Sequence, residues 1–368
     1  MKKVLFVATV DGHIKSFHTP YLKMFYESGY EVHVASNGDS EFSYVHEKHN
    51  ILFKRSPFHI HNIFAYIKLK KIIKQNAYSI VHCHTPVGGV LTRLCSKEVR
   101  RKSGKVFYTA HGFHFYKGAP WRYWFFYYTI EKLLSKSTDC LITINKEDFE
   151  IAQNNFRCSR VEYVPGIGVD LEKFKPVDNY HRQLLRKKHG YSTEDYILFF
   201  AGELSKRKNQ SMLLLMIKKL KLLNLDVKLL LAGEGKQQKL LQTKIKKLGL
   251  EENARLLGFR TDIKELIGLS DIIVSSSRQE GLPINIVEAL AIGRPIIATN
   301  VRGNRDLIKE GFNGFLTPLN NYEYMSELVI KMFADKKMTT VFSENATLSV
   351  CNYSLQEVMS KMRKIYEI

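Results

Sequence analysis

At 368 residues and 45% apolar composition, the chain is long enough to bury a substantial core and to form two domains. No apolar run approaches the roughly 18–20 residues of a membrane-spanning helix. The 56 Lys and Arg residues against 36 Asp and Glu leave a formal charge of +20, which calls for an acidic partner or a broad solvated basic face.

The start, Met1-Lys-Lys-Val-Leu-Phe-Val-Ala-Thr-Val10, is interrupted by Asp11-Gly-His13 and lacks a small-residue cleavage site, so it reads as a first strand and not as a signal peptide. Strand Lys3–Thr9 is followed by helix His18–Ser28, strand Glu31–Ala35, helix Ile63–Gln75, strand Ile80–His84 and helix Val87–Arg101. Strand Lys105–Thr109, helix Trp121–Ser135, strand Asp139–Ile144, helix Glu147–Asn155 and strand Val161–Val164 complete this half. The turn-rich stretch from Pro165-Gly-Ile-Gly168 to Lys175-Pro176 breaks the pattern. Alternation restarts with strand Tyr196–Ala201, helix Gln210–Leu223, strand Val227–Ala232, helix Gln237–Leu248 and strand Ala254–Leu257. Helix Asp262–Leu269, strand Asp271–Ser275, helix Ile284–Ile292, strand Pro295–Ala298, helix Asn304–Ile308 and strand Gly314–Leu316 follow. Helices Tyr322–Asp335 and roughly Ser354–Tyr366 close the chain. Strands alternating with helices predict parallel sheets and an α/β, doubly wound architecture. The expected division is residues 1–170 and 178–345, with the helix at about 350–368 packing back on the first domain.

Five cysteines (Cys83, Cys95, Cys140, Cys158, Cys351) form no C-x-x-C or His/Cys cluster and read as reduced thiols without a metal role, which places the chain in the cytoplasm. Between Lys54 and Lys105 lie twelve basic residues (Lys54, Arg55, Lys68, Lys70, Lys71, Lys74, Arg93, Lys97, Arg100, Arg101, Lys102, Lys105) and one acid, Glu98. Nucleic acid, an anionic membrane surface and a phosphorylated substrate all fit that charge. A solvated face fits it too.

Glu280-Gly-Leu-Pro-Ile-Asn-Ile-Val-Glu288 holds two carboxylates around a Gly-Leu-Pro turn, after an apolar strand and at the start of a helix that Gly293-Arg-Pro295 ends. One Glu falls in a loop at the carboxyl end of a strand, and the other two turns further on within the helix. The amides of Gly281, Leu282, Ile284 and Asn285 would face an anion, whereas Pro283 has no N–H. Such a site holds a sugar hydroxyl, a diphosphate and a ribose together. Arg207 and Lys208 come between a strand and a helix, as either a diphosphate clamp or a solvated basic turn. Gly12 is the one glycine of the first strand–helix junction; no G-x-G-x-x-G fingerprint is present, which argues against a nicotinamide enzyme.

The Glu280…Glu288 pair, Gly202-Glu-Leu-Ser-Lys-Arg-Lys208, Gly233-Glu-Gly235, Leu257-Gly-Phe259 and Gly168-Val-Asp with Phe174-x-Pro176 occur in one order along nearly the whole chain. Together they resemble the family-four retaining glycosyltransferases. The resemblance implies the GT-B fold, two doubly wound Rossmann-like domains facing each other across a cleft. His84-Thr-Pro-Val-Gly-Gly89, the Thr109–Pro120 phrase and Ile142-Thr-Ile-Asn-Lys-Glu-Asp148 look like a subgroup that builds bacterial capsular and exopolysaccharide units on a lipid-diphosphate carrier.

The resemblance also assigns roles. Arg207 and Lys208 would stabilise the leaving diphosphate, Glu288 would bind the ribose hydroxyls, and Glu280 would contact the donor sugar as a catalytic group. Gly12 would abut the diphosphate from the loop after the first strand. His111, at the end of its strand, would sit beside the donor sugar and the attacking hydroxyl, with His114 as the histidine most easily mistaken for it. Glu203 departs from the family, where a basic residue often follows this Gly. The implied reaction is same-face substitution from a nucleotide-diphosphate sugar, most simply a UDP-sugar, with the departing phosphate oxygen taking the acceptor proton. No metal or cofactor is expected, since no D-x-D or His-rich cluster appears where a diphosphate would sit.

Both tryptophans fall in Phe113-His-Phe-Tyr116 and Trp121-Arg-Tyr-Trp-Phe-Phe-Tyr-Tyr128, beside Lys117 and Arg122. This segment fits a membrane interface, a buried aromatic helix, or one face of each. The expected partners are a nucleotide sugar, a lipid-linked glycan acceptor and the anionic inner face of the cytoplasmic membrane, and not nucleic acid. Two other readings compete: a nucleotide-sugar 2-epimerase of similar architecture, which needs no acceptor, and a basic nucleic-acid-binding protein, which no helix-turn-helix or RNA-binding signature supports.

Overall fold

The structure, a computed structural model, describes residues 1–368 and divides into two compact units. The first comprises Met1–Ile167 with Val358–Ile368, and the second Gly168–Glu357.

The first unit is built on seven strands: β1 (Lys3–Val10), β2 (Glu31–Asn37), β3 (Glu47–Asn50), β4 (Tyr78–His84), β5 (Lys105–Ala110), β6 (Cys140–Thr143) and β7 (Arg160–Tyr163). All pair in parallel, in the order β3-β2-β1-β4-β5-β6-β7. Strand order reverses between β1 and β4, so the carboxyl ends of these two strands flank a topological switch point, where open α/β sheets bind ligands. Two apolar layers cover the faces. One gathers Leu5, Val7, Val81 and Tyr108 under the helices after β3 and β4. The other gathers Phe6, Phe25, Val34 and Phe107 with Val358, Met362 and Tyr366 of the last helix, Leu355–Tyr366. The Tyr366 hydroxyl meets His82 Nδ1, and Lys105 pairs with Glu367 at 3.1 Å.

Several local expectations are corrected. A short helix, Asp11–Phe17, starts directly after β1, so Gly12 lies in a helical first turn and not in a loop. Strand β3 was not foreseen: Glu47-Lys-His-Asn50 has no apolar alternation, and only an edge position beside β2 makes it a strand. The helix expected over 87–101 breaks at Cys95 into Pro86–Leu94 and Ser96–Arg100. The one expected over 121–135 carries a π-helical turn, Trp124–Tyr128, which fits the crowding of consecutive bulky aromatics.

Gly89 explains part of the His84–Gly89 phrase, because a Cβ there would lie 2.6 Å from the Tyr108 ring. Over that ring Arg93 sits 4.0 Å from the centroid and forms a buried two-pronged ion pair with Glu131 at 2.7 and 3.1 Å. Arg93 therefore belongs to the core and not to the basic surface of the 54–105 run.

The second unit has six parallel strands, β8 (Tyr196–Ala201), β9 (Val227–Ala232), β10 (Ala254–Gly258), β11 (Ile272–Ser275), β12 (Ile296–Thr299) and β13 (Gly314–Thr317), in the order β10-β9-β8-β11-β12-β13. Its switch point falls between β8 and β11. Two helices outside the expected set appear, Asn179–Lys188 and Lys336–Leu348. The first is strongly basic, but Arg186 bonds the Leu269 carbonyl and Asp271, which also accepts from the Ile197 amide. No helix is long and apolar enough to cross a membrane, and all five cysteines are free thiols.

Candidate functional site

In the second unit the loops leaving β8 and β11, on either side of the switch point, are stitched to one another. The Arg278 amide donates to the Arg207 carbonyl at 2.8 Å, and Ser276 Oγ donates to the carbonyls of Lys208 and Asn209, both at 3.0 Å. Asn209, at φ +55°, turns the first loop into helix Gln210–Leu222. The Gly233-Glu-Gly235 motif packs against that loop: a Cβ on Gly233 would lie 2.1 Å from the Gly202 carbonyl oxygen, and one on Gly235 2.3 Å from that of Leu204. Only glycine permits such an approach at these positive φ angles.

This framework brings Arg207, Lys208 and Glu280 together. Lys208 Nζ donates to Glu280 Oε1 at 2.6 Å, and an Arg207 guanidinium N–H to Oε2 at 3.0 Å and to the Gln279 carbonyl at 3.0 Å. Lys208 and Glu280 are buried, whereas Arg207 reaches solvent. Burial alone would raise the Glu280 carboxyl, but the charges of Lys208 and Arg207 outweigh it and hold the group below its ordinary value. Each cation thus has a buried counter-charge and, for Arg207, an open side on which an anion can sit.

Helix Ile284–Ala291 begins at Pro283, whose carbonyl already accepts from the Ile286 and Val287 amides. The amides of Ile284 and Asn285 lie in the first turn, where no intrahelical acceptor exists. The Asn285 side chain itself is structural, donating to the Ala201 carbonyl at the end of β8 at 2.8 Å. Glu288 stands apart from the ion-pair cluster. It has neither hydrogen bond nor ion pair, and burial pushes its carboxyl up to about 7 against the opposing charge of Lys173. A half-buried carboxylate without a donor is suited to accept hydroxyl hydrogens from a ligand. Glu203 is exposed, and its carbonyl accepts from Gln210.

Arg302 and Gly303 complete this site and had no signal in the sequence pattern. Arg302, buried, donates to the Glu280 carbonyl at 2.9 Å, and a Cβ on Gly303 would come within 2.3 Å of the Gly281 carbonyl.

In the first unit, Gly12 is exposed and a Cβ there would meet nothing within 4 Å, so the fold itself does not demand glycine. His111 follows β5 directly. It joins His84, the last residue of β4, and His13, in the first helix, with its Nε2 lying 3.4 Å from His84 Nδ1 and 3.4 Å from His13 Nε2. His18 stacks on His84 with ring centroids 3.7 Å apart. Burial holds all four imidazoles neutral, His13 at about 4 and the other three well below the usual range. Thr85, at φ +65°, pins this corner: its hydroxyl meets Thr9 Oγ1 at 2.7 Å and accepts from the Thr9 amide. His114 instead stacks on Tyr127 and is a packing residue.

The chain is similar to known proteins along most of its length. Residues 181–349 match the family described as glycosyl transferases group 1, and residues 3–145 the glycosyl transferase 4-like family. The putative glycosyltransferase EpsD of Bacillus subtilis is 44% identical over 366 residues, covering 99% of this chain and 96% of that protein. The UDP-Gal:alpha-D-GlcNAc-diphosphoundecaprenol alpha-1,3-galactosyltransferase of Escherichia coli is 30% identical over 315 residues, 83% of this chain and 80% of that one. Among solved structures, Anabaena HepE in complex with UDP-glucose superposes with a TM-score of 0.80 at 18% identity over 100% of both chains. WaaG, a glycosyltransferase involved in lipopolysaccharide biosynthesis, does so at 0.77 and 19% over 99% of both. At those identities the two structures speak for the fold.

Proposed function

This chain belongs to the group 1, family-four glycosyltransferases with the GT-B fold, and we propose that it moves a hexose or N-acetylhexosamine from a UDP-sugar to a lipid-diphosphate-linked glycan, with retention of configuration, during assembly of a bacterial surface polysaccharide. The observation that carries the donor half is the Arg207–Lys208–Glu280 cluster at the switch point of the second unit, beside a helix start and the partnerless Glu288. The acceptor class is supported by the E. coli relative, whose name states a diphosphoundecaprenol-linked GlcNAc.

On this reading Arg207 and Lys208 carry the charge that develops on the departing diphosphate, and the amides of Gly281, Leu282, Ile284 and Asn285 add dipoles that need no reorganisation. Glu280 exchanges its two cations for a donor-sugar hydroxyl as the phosphates arrive. Glu288 receives the ribose hydroxyls, and Gly12 is the glycine that the family resemblance assigns to the diphosphate. No carboxylate stands as a nucleophile, so the leaving phosphate oxygen takes the acceptor proton on the face from which it departs. His111, neutral, offers a lone pair to the attacking hydroxyl or to the positive charge of the transition state.

Peripheral attachment to an anionic inner leaflet is supported by the surface of the first unit. Trp124, Tyr127 and Tyr128 pack into its core, while Trp121, Phe125 and Phe126 stand exposed, Trp121 at 78%. Helix His61–Gln75 likewise exposes Ile63, Phe64 and Ile67 beside Lys68, Lys71 and Lys74. Apolar side chains flanked by lysines suit an interface between headgroups and acyl chains, each cation adding about 1 kcal/mol.

The decisive experiment incubates the purified chain with membrane lipid extract and a panel of nucleotide sugars and follows nucleotide diphosphate release. Release with one donor that requires the lipid fraction, and that disappears in Glu288→Ala and Arg207→Ala, is expected. Isomerisation of a donor without acceptor would instead establish an epimerase, and inertness toward every donor would overturn the substrate reading.

A further inference from the structure

The histidine cluster of the first unit has a geometry that sugar chemistry does not require. His13, His18, His84 and His111 each place one ring nitrogen within 4.8 Å of the other three. The two 3.4 Å separations both involve His111 Nε2, which holds either one proton or one lone pair and so cannot serve both neighbours as a hydrogen bond. They also exceed the usual N–H···N length, whereas a tetrahedral ion with metal–nitrogen bonds of about 2.0–2.1 Å sets its ligand nitrogens about 3.3–3.4 Å apart.

A second, independent observation points the same way. Both ring nitrogens of His18, a side chain only 1% exposed, are buried without any hydrogen-bond partner. Buried polar atoms left unpaired cost free energy unless something satisfies them. The neighbouring His82, by contrast, is paired at both nitrogens, to Tyr366 and Thr109.

We propose that His13, His18, His84 and His111 form a binding site for a transition-metal ion of the zinc type. The donor set is all imidazole with no carboxylate, which excludes magnesium and calcium as fitting ions and suits zinc, nickel or copper. His13 and His111 are half-buried and leave a route in from solvent. His13 Nε2 and His84 Nδ1, each 3.4 Å from His111 Nε2, would supply three of the ligands together with it. His18, which now stacks on His84 at 24° between planes, becomes the fourth by turning its ring. Thr85, held to Thr9, fixes the backbone beside His84.

The site stands independently of the donor reading. One consequence rests on that reading: an ion bound to His111 Nε2 removes it from the transfer reaction, so zinc inhibits.

The test uses the full-length, metal-free chain, titrated with Zn2+ against a chromophoric chelator and with Co2+ read by its visible absorption. One equivalent per chain and an intense four-coordinate Co2+ band are expected. His13→Ala, at a half-buried helix position, should weaken binding about tenfold or more with the circular dichroism unchanged. If that variant does not fold, His111→Gln carries the same expectation. His49→Gln, at a separate His/Glu group, should leave binding intact. Absence of stoichiometric binding, equal affinity in folded His13→Ala and His111→Gln, or loss of binding in His49→Gln would overturn the proposal. Donor turnover is not part of this readout, so failure here leaves the transferase reading untouched and the reverse holds.

Discussion

The two units share the same strand order about their central strands, yet the loops at equivalent strand ends are filled in opposite ways. In the second unit the loops after β8 and β11 hold a buried carboxylate between two cations. In the first unit the residues after β1, β4 and β5 place four neutral imidazoles in contact, with no charge among them. The difference teaches that a doubly wound sheet supplies the position of a site and leaves its electrostatics to a few loop residues. One corner is a network of paired charges, and the other is a neutral group of imidazoles.

Breaking the charged corner should have the largest effect. Lys208→Ala leaves Glu280 buried beside Arg207 alone; we expect about 3–5 kcal/mol loss of stability in chemical denaturation and a fall in donor turnover of about 10²–10³-fold. Lys208→Met combined with Glu280→Gln separates the two, restoring much of the stability while turnover stays lost.

Acid should break the neutral corner next. The folded-state pKa values of His13, His18, His84 and His111 lie below the ordinary histidine value near 6.5, so the unfolded chain takes up more protons. Stability is fully present above pH 6.5 and is lost as pH falls toward 4. The part due to His13 amounts to about 3 kcal/mol. Denaturation midpoints of the first unit measured between pH 7.5 and 5 check this, and the slope should flatten in His13→Phe.

Glu288 titrates in the opposite sense. With its carboxyl raised to about 7, the folded protein holds the proton longer than the unfolded chain, and stability declines as pH rises from about 4.5 to 7. Glu288→Gln should therefore stabilise the ligand-free protein at pH 8 by about 1–3 kcal/mol while weakening donor binding, read by calorimetry with the nucleotide diphosphate. A variant that loses stability instead would show that Glu288 has a structural partner. The smallest effect belongs to Gly12→Ala, which should raise stability by at most about 1 kcal/mol, since Gly12 lies in a helical turn and no atom opposes the added Cβ. Any fall in its donor turnover then reports on ligand contact alone.

Much of this was legible in the residues. Alternating apolar strands and amphipathic helices fixed the α/β class because burying both sheet faces leaves a period that survives in composition. Arg207, Lys208 and Glu280 could be proposed as a site because the ordered motifs around them resemble the family-four transferases; their places near strand ends permitted that reading but left Arg207 and Lys208 open as a solvated basic turn. Glu47–Asn50 and the breaks at Cys95 and Trp124–Tyr128 could not be read, because their conformation follows from neighbours distant in sequence.

By itself, then, the sequence determined the alternation, the strand-end loops and the Glu280–Glu288 spacing, all of which depend on contacts a few residues long. Only the tertiary structure decided that Arg302 braces Glu280, that Arg93 is core and not surface, and that His13, His18, His84 and His111 meet. The ring nitrogens of His13 and His111 lie 3.4 Å apart across 98 positions of sequence, and such closeness exists only once β1, β4 and β5 lie side by side in register.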